Sequence, residues 1–251
     1  MTTATNGQIF LYETLGTAML LLLGCGVVAT AILRDSKGFG GGWLLINFGW
    51  GLGVFAGVYV AFPSGAHLNP AVTVANLVLG NITFVQGIFY FLGEFIGAFI
   101  GAVLAWLAFK QHFDIEEDPG AKLAVFSTAP AIRNAGWNLV TEAIGTFVLI
   151  FVILVSGGTP NELGPLFVAL LVVGIGNSLG GPTGYAINPA RDLAPRIAHA
   201  ILPIRGKGPS DWGYAWVPVV GPIIGAIVAA LLFQAIGAQA LIDAIKAAAA
   251  K

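Results

Sequence analysis

The tripeptide Asn-Pro-Ala occurs twice in this chain, as Asn69-Pro70-Ala71 and as Asn188-Pro189-Ala190. Proline suits the first turn of a helix, where its missing N–H has no intrahelical partner. Asparagine directly before it is a strong N-cap. Each motif therefore reads as a loop entering a short helix. The segments around them, 65–79 and 184–200, are too short to cross a bilayer, which takes about 20 residues. Irregular backbone at membrane depth must line a cavity or be buried in protein. Arg191 follows the second motif directly. An arginine in such a place is costly and is a functional position by default; the bland alternative is a salt bridge with neighbouring Asp192. A guanidinium offers a fixed fork of donors that can grip two hydroxyls at once. The chemistry these residues suit is recognition of small polar solutes, with no bond made or broken.

The rest of the chain must hold these elements in a membrane. Of its 251 residues, 57% are hydrophobic and 9% charged, against roughly 25% charged in a soluble domain. Mean hydropathy is +0.88. This excludes a soluble enzyme, a disordered chain and a nucleic-acid binder, which needs a basic surface. A single cysteine excludes a disulfide scaffold and a cysteine metal cluster. No H-E-x-x-H or G-x-S-x-G pattern appears, so neither an enzyme nor a metal or other cofactor is expected. Long apolar stretches lie at 8–33, 43–62, 84–109, 137–156, 164–181 and 214–237, and each is predicted to span the bilayer. The alternation of a membrane β-barrel is absent. No cationic leader, cleavage site or lipidation signal stands out, which leaves a plasma or bacterial inner membrane as the expected location.

The chain is also a repeat. Glu13-Thr14-Leu15-Gly16-Thr17 returns as Glu142-Ala143-Ile144-Gly145-Thr146, and Gly97-Ala98 returns as Gly225-Ala226. The loop Gly65-Ala66-His67-Leu68 before the first motif returns as Gly184-Tyr185-Ala186-Ile187 before the second. Each half has three spans, so the second half enters the membrane inverted. Inverted repeats with broken helices place a substrate site at the midplane, where the halves meet. The expected organisation is a single channel domain over 1–251, with halves at about 8–109 and 137–237. Between them runs a linker, 110–136, expected to be a solvated loop. Leu241 to Lys251 reads as an Ala-rich surface helix.

Two Asn-Pro-Ala motifs in mirrored positions of a six-span repeat resemble the major intrinsic protein family, the aquaporins and glycerol facilitators. The likeness runs from Glu13 to about Gly225. It implies an all-α membrane fold of six transmembrane helices plus two re-entrant half-helices, and a homotetramer with one pore per subunit. Both half-helices would aim their N-termini at the pore centre, each carrying about half a positive charge. That field repels protons and other cations. Asn69 and Asn188 would donate to a passing oxygen. Carbonyls of Gly65, Ala66, His67, Leu68, Gly184, Tyr185, Ala186 and Ile187 would form a hydrophilic stripe facing an apolar wall.

The resemblance also supplies a four-residue constriction: Trp50, Gly176, Tyr185 and Arg191. Water-selective members carry a bulky His where this chain has Gly176, so the glycine is expected to widen the filter. Trp50 and Tyr185 would then face the carbon backbone of a polyol while Arg191 binds its hydroxyls. Glycerol facilitators usually show Phe at the place of Tyr185. Asp192, where water channels usually have Ser, and basic Arg196 point to the glycerol branch. The implied function is passive conduction of glycerol and similar neutral solutes with some water. A water-selective channel, or a permissive pore for urea, lactic acid or metalloid hydroxides, is the alternative. An ion-coupled transporter would want paired acids facing a cavity. The family instead uses Glu13 and Glu142, with Asp192, to support the loops. Glu94 stands where the family usually has Gln and is expected to be structural; His67 is expected to be a packed loop residue. Gly93, Gly97 and Gly101 allow close helix contact, and Cys25 reads as core. The resemblance places the N-terminus inside, against the positive-inside rule, since most lysines and arginines then fall outside.

Overall fold

The structure is a computed structural model that describes residues 3–157 and 163–249. Every regular element among them is helical. Helix α1, Asn6–Ile32, starts from a capping box in which Thr5 accepts from the Gln8 N–H and the Gln8 side chain accepts from the Thr5 N–H. Helix α2, Gly42–Ala61, runs into a short 3₁₀ turn, Phe62–Ser64. The first half-helix, α3, is Pro70–Val78. Thr83 and Gln86 repeat the capping box ahead of α4, Phe84–Ala108. In the second half α7 is Ala135–Ser156, α8 Pro165–Leu179, α9 Pro189–Ile201 and α10 Val217–Ala235; α5 and α6 lie between the halves.

Among the described residues, five helices, α1, α2 with its 3₁₀ turn, α4, α7 and α10, are long and apolar enough to cross a membrane. The stretch expected to span at 164–181 forms a shorter apolar helix, α8, of 15 residues. At 1.5 Å per residue it is about 22 Å long. Gly164 takes φ +52° and Pro165 sets the first turn; residues 158–162 lie outside the described chain.

The internal repeat is carried by matching close approaches. A Cβ built on Gly97 would lie 2.3 Å from the Thr14 carbonyl oxygen, and one on Gly225 would lie 2.2 Å from that of Ala143. One turn earlier, Gly93 and Gly221 meet the Cβ atoms of Glu13 and Glu142 at 2.8 and 2.6 Å. Helix pairs α1–α4 and α7–α10 therefore cross at backbone distance, as small residues allow in membranes. The half-helices tie the halves together: α3 packs on α10 and α9 on α4.

The stretch 110–136 is not the plain solvated loop that its charges suggest. It forms α5, Lys110–Ile115, and α6, Pro119–Phe126. Phe113 and Phe126 are fully buried with ring centroids 5.6 Å apart. Lys122 is buried and donates to the Arg205 carbonyl at 2.5 Å. A lysine whose ammonium finds a carbonyl loses less on burial than a free one. Several other cations near this end are also engaged: Arg133 with Asp211, Arg34 with Glu117, and Lys207 on the last carbonyls of α9. The C-terminal α11 is Ala238–Ala249, beginning three residues before the expected Leu241.

Candidate functional site

Two loops carry the site, and both adopt the same uncommon backbone. Gly65, Ala66 and Leu68 have φ of +98°, +53° and +56°; Gly184, Tyr185 and Ile187 have +80°, +39° and +43°. The first, second and fourth positions match in each. A non-glycine residue in this region costs about 1–3 kcal/mol and persists only where its surroundings hold it. Two buried carboxylates do that holding. Glu13 accepts from the N–H groups of His67 and Leu68 at 3.0 and 2.7 Å and from the Ser64 hydroxyl at 2.6 Å. Glu142 accepts from the N–H groups of Ala186 and Ile187 at 2.9 and 2.8 Å.

At the end of each loop an asparagine caps its half-helix. Asn69 Oδ1 accepts from the Ala71 N–H; Asn188 Oδ1 accepts from those of Ala190 and Arg191. Each amide also reaches across the repeat. Asn69 Nδ2 donates to the Ile187 carbonyl and Asn188 Nδ2 to that of Leu68, both at 2.8 Å. An amide has two donors, so each asparagine keeps one N–H. Pro70 and Pro189 fill the first turn, and Ala71 and Ala190 are fully buried behind them. The two helix N-termini thus converge, and their partial charges add.

A cavity of about 530 Å³ runs past this junction. Its lining includes Trp50, Tyr185 and Arg191, both asparagines, and the loop residues 65–68 and 185–187. Leu20, Val54, Val58, Leu149, Ile153 and Val172 supply an apolar wall. Gly184 is not among the lining residues and faces Thr128 instead.

Arg191 lies over Trp50, its guanidinium carbon 3.9 Å from the ring centroid. Trp50 in turn fills the notch of Gly24, where an added Cβ would stand 2.2 Å from the ring. Arg191 is buried, and its Nη1 has no hydrogen-bond partner among the described residues. The alternative pairing with Asp192 is not formed. Asp192 binds Arg196 through Nε and Nη2 at 2.9 and 2.8 Å, both side chains being fully buried. Its other oxygen accepts from the Thr128 N–H and hydroxyl, so the loop Asp192 supports is the one after α6.

Gly176 does not line the cavity. A Cβ there would meet Tyr185 Cζ at 2.7 Å and Asn47 Oδ1 at 2.6 Å. One at Gly180 would meet Tyr185 Cδ1 at 2.4 Å. The Tyr185 ring occupies the slot these glycines open, edge-on to Trp43, whose Nε1 donates to the Gly176 carbonyl at 3.0 Å. The space that the missing Gly176 side chain leaves is taken by the ring of Tyr185. Trp43, Asn47 and Gly180 carry no motif of their own, and only their contacts with Tyr185 and α8 bring them into the site.

A family model described as Major intrinsic protein matches residues 1–233. The Probable glycerol uptake facilitator protein of Thermotoga maritima is 52% identical over 230 residues, covering 90% of this chain and 98% of its own. The Glycerol uptake facilitator protein of Streptococcus pneumoniae is 50% identical over 225 residues, covering 88% and 96%. Among solved structures, the aquaglyceroporin from Plasmodium falciparum superposes with a TM-score of 0.80 at 30% identity, over 95% of this chain and 99% of that one.

Proposed function

We propose that this chain, which belongs to the major intrinsic protein family, is a passive channel for glycerol and other small neutral solutes, with some water. The observation that carries the reading is Arg191. Its guanidinium carbon is held 3.9 Å from the Trp50 ring centroid and the side chain lines the cavity, so its fork is preorganised to meet the hydroxyls of a permeant. Tyr185 lines the same cavity and supplies a second aromatic surface. Loop carbonyls accept the hydroxyl protons in turn, the asparagine N–H groups donate, and the apolar wall meets the carbon side. The selectivity filter in this reading is Trp50, Tyr185 and Arg191, with Gly176 setting the position of Tyr185. Protons and cations are excluded by the convergent helix N-termini and the fixed charge of Arg191.

The location proposed is a plasma or bacterial inner membrane, with the N-terminus inside and four copies of the chain assembled, one pore in each. The relatives from Thermotoga maritima and Streptococcus pneumoniae, named as glycerol uptake facilitators, support glycerol as the permeant. One observation favours a second reading, a water-selective pore: Tyr185 fills the room above Gly176 that a wide filter would use. Uptake of labelled glycerol into vesicles with and without proton and sodium gradients tests the proposal. Uptake that is fast and indifferent to the gradients supports it; uptake abolished by collapsing them would assign an ion-coupled carrier.

A further inference from the structure

Three polar side chains from three elements meet beside the cavity. Thr73, near the start of α3, places Oγ1 2.6 Å from Glu94 Oε1 on α4 and 2.8 Å from His67 Nδ1 in the preceding loop. Thr73 and Glu94 are fully buried, whereas His67 lines the cavity. The His67 ring stacks on Tyr90 with centroids 3.8 Å apart and planes 14° apart. The Tyr90 hydroxyl donates to the Ser64 carbonyl, so the ring is clamped from the same loop and is not free to turn over.

Thr73 has one hydroxyl proton, and this couples its two contacts. If Thr73 donates to Glu94, it must accept from Nδ1–H of His67, and the neutral ring, which lines the cavity, then carries no proton on Nε2. If Glu94 carries a proton on Oε1, it donates to Thr73, Thr73 donates to Nδ1, and the ring carries Nε2–H. Occupancy of one buried proton therefore decides whether the pore meets an acceptor or a donor at His67. Glu94 faces Thr73 and the Asn69 N–H at the start of α3, Glu13 on α1 and Tyr90 on its own helix, with His67 reached through Thr73. Glu94 forms no ion pair among the described residues, and its Oε2 is buried without a partner. An ionised Glu94 would leave that oxygen bare near a second carboxylate, an arrangement that costs far more than the neutral acid.

We propose that Glu94 holds a proton at neutral pH and, through Thr73, fixes His67 as an Nε2–H donor to the oxygen of a passing solute. Glu94 and Thr73 are positioning residues; His67 is the group that touches the permeant. The inference rests on reading the cavity as the permeation path. In alkali the wire runs outward. Glu94 Oε1 yields its proton to Thr73 Oγ1, Thr73 passes its own to His67 Nδ1, and Nε2 releases one to hydroxide in the cavity, forming water. One proton leaves, His67 stays neutral throughout, and the pore-facing nitrogen changes from donor to acceptor.

The test is glycerol and water flux through proteoliposomes from about pH 6 to about pH 10. Wild-type glycerol flux is expected to fall by about 3-fold to 10-fold at the alkaline end, the scale of one lost hydrogen bond. Glu94→Gln, whose amide donates as the acid does and cannot ionise, is expected to show no alkaline step. Thr73→Val, which cuts the wire, is expected to lose the step too, and Thr73→Ser to keep it. A flat wild-type profile, or the same step in Glu94→Gln or in Thr73→Val, would overturn the proposal. Water flux without glycerol flux at pH 7 would sink the glycerol reading instead, and the pH profile of water would still test the wire.

Discussion

Tyr185 and Gly176 share one space: the Cζ atom of the ring lies 2.7 Å from where a Gly176 side chain would begin. The glycine on α8 thus acts on the pore through a residue nine positions on, in the second loop. Gly176→Ala must displace the ring or Asn47, and the ring's open side is the cavity it lines. A ring pushed into the cavity narrows the path, and each ~1.4 kcal/mol added to the permeation barrier is tenfold in flux. Gly176→Ala is therefore expected to lower glycerol flux by about tenfold or more. Adding Tyr185→Ala should restore it. Flux unaffected by Gly176→Ala in stopped-flow assays would separate the glycine from the filter.

Arg191 is held by a ring face, with no ion pair to an acid among the described residues. Such contacts are worth about 0.5–2 kcal/mol. Arg191→Val is expected to reduce discrimination between glycerol and urea and to raise proton leak, read with a pH dye trapped in vesicles. Trp50→Leu, which removes the face and keeps the charge, should lower discrimination and leave proton exclusion intact. Equal proton leak in both variants would assign exclusion to something other than the Arg191 charge.

The Asp192–Arg196 pair is a separate, structural device. Both side chains are fully buried, and Arg196 also donates to the carbonyls of Ser210 and Thr128. Removing one partner of such a pair costs about 3–5 kcal/mol. Arg196→Leu should lower the Tm of the detergent-solubilised protein strongly, and Asp192→Leu with Arg196→Leu should be milder than Arg196→Leu alone. A double variant that is worse by the sum of both singles would mean the two side chains act independently.

Much of this was legible in the sequence, and the limits have physical causes. The caps Asn69 and Asn188, the prolines after them and the repeated glycines of α4 and α10 follow local rules of helix starts and close packing, so they could be read directly. The partner of Asp192 was also within reach. Residues four apart on a helix share a face and adjacent ones do not, which favours Arg196 over Arg191. Three features were not legible. Burial of Lys122 depends on a carbonyl more than eighty residues away. Helices α5 and α6 are anchored by Phe113 and Phe126, whose burial comes from tertiary contact. The use of Gly176 depends on Tyr185 and Asn47 arriving from other elements, which no local pattern encodes.

Between α5 and α6, Glu116 accepts the N–H groups of Asp118, Glu117 and Arg34. These bonds, that from Asp118 foremost, hold its carboxyl below the ordinary carboxylate range. A group depressed in the folded state adds stability that is present above its unfolded value, roughly 4, and is lost as pH falls through the folded one. Thermal melts at falling pH should show a loss in the wild type that is smaller in Glu116→Gln. An equal loss in both would place the acid sensitivity elsewhere.

The central claim is passive glycerol conduction through the cavity lined by Trp50, Tyr185 and Arg191. Stopped-flow light scattering on proteoliposomes, with an osmotic step in sucrose and then in glycerol, tests it most directly. The account predicts fast shrinkage in sucrose, and in glycerol fast shrinkage followed by fast re-swelling. Fast shrinkage with no re-swelling in glycerol would contradict it: Tyr185 would then close the filter to polyols, and the chain would be a water channel.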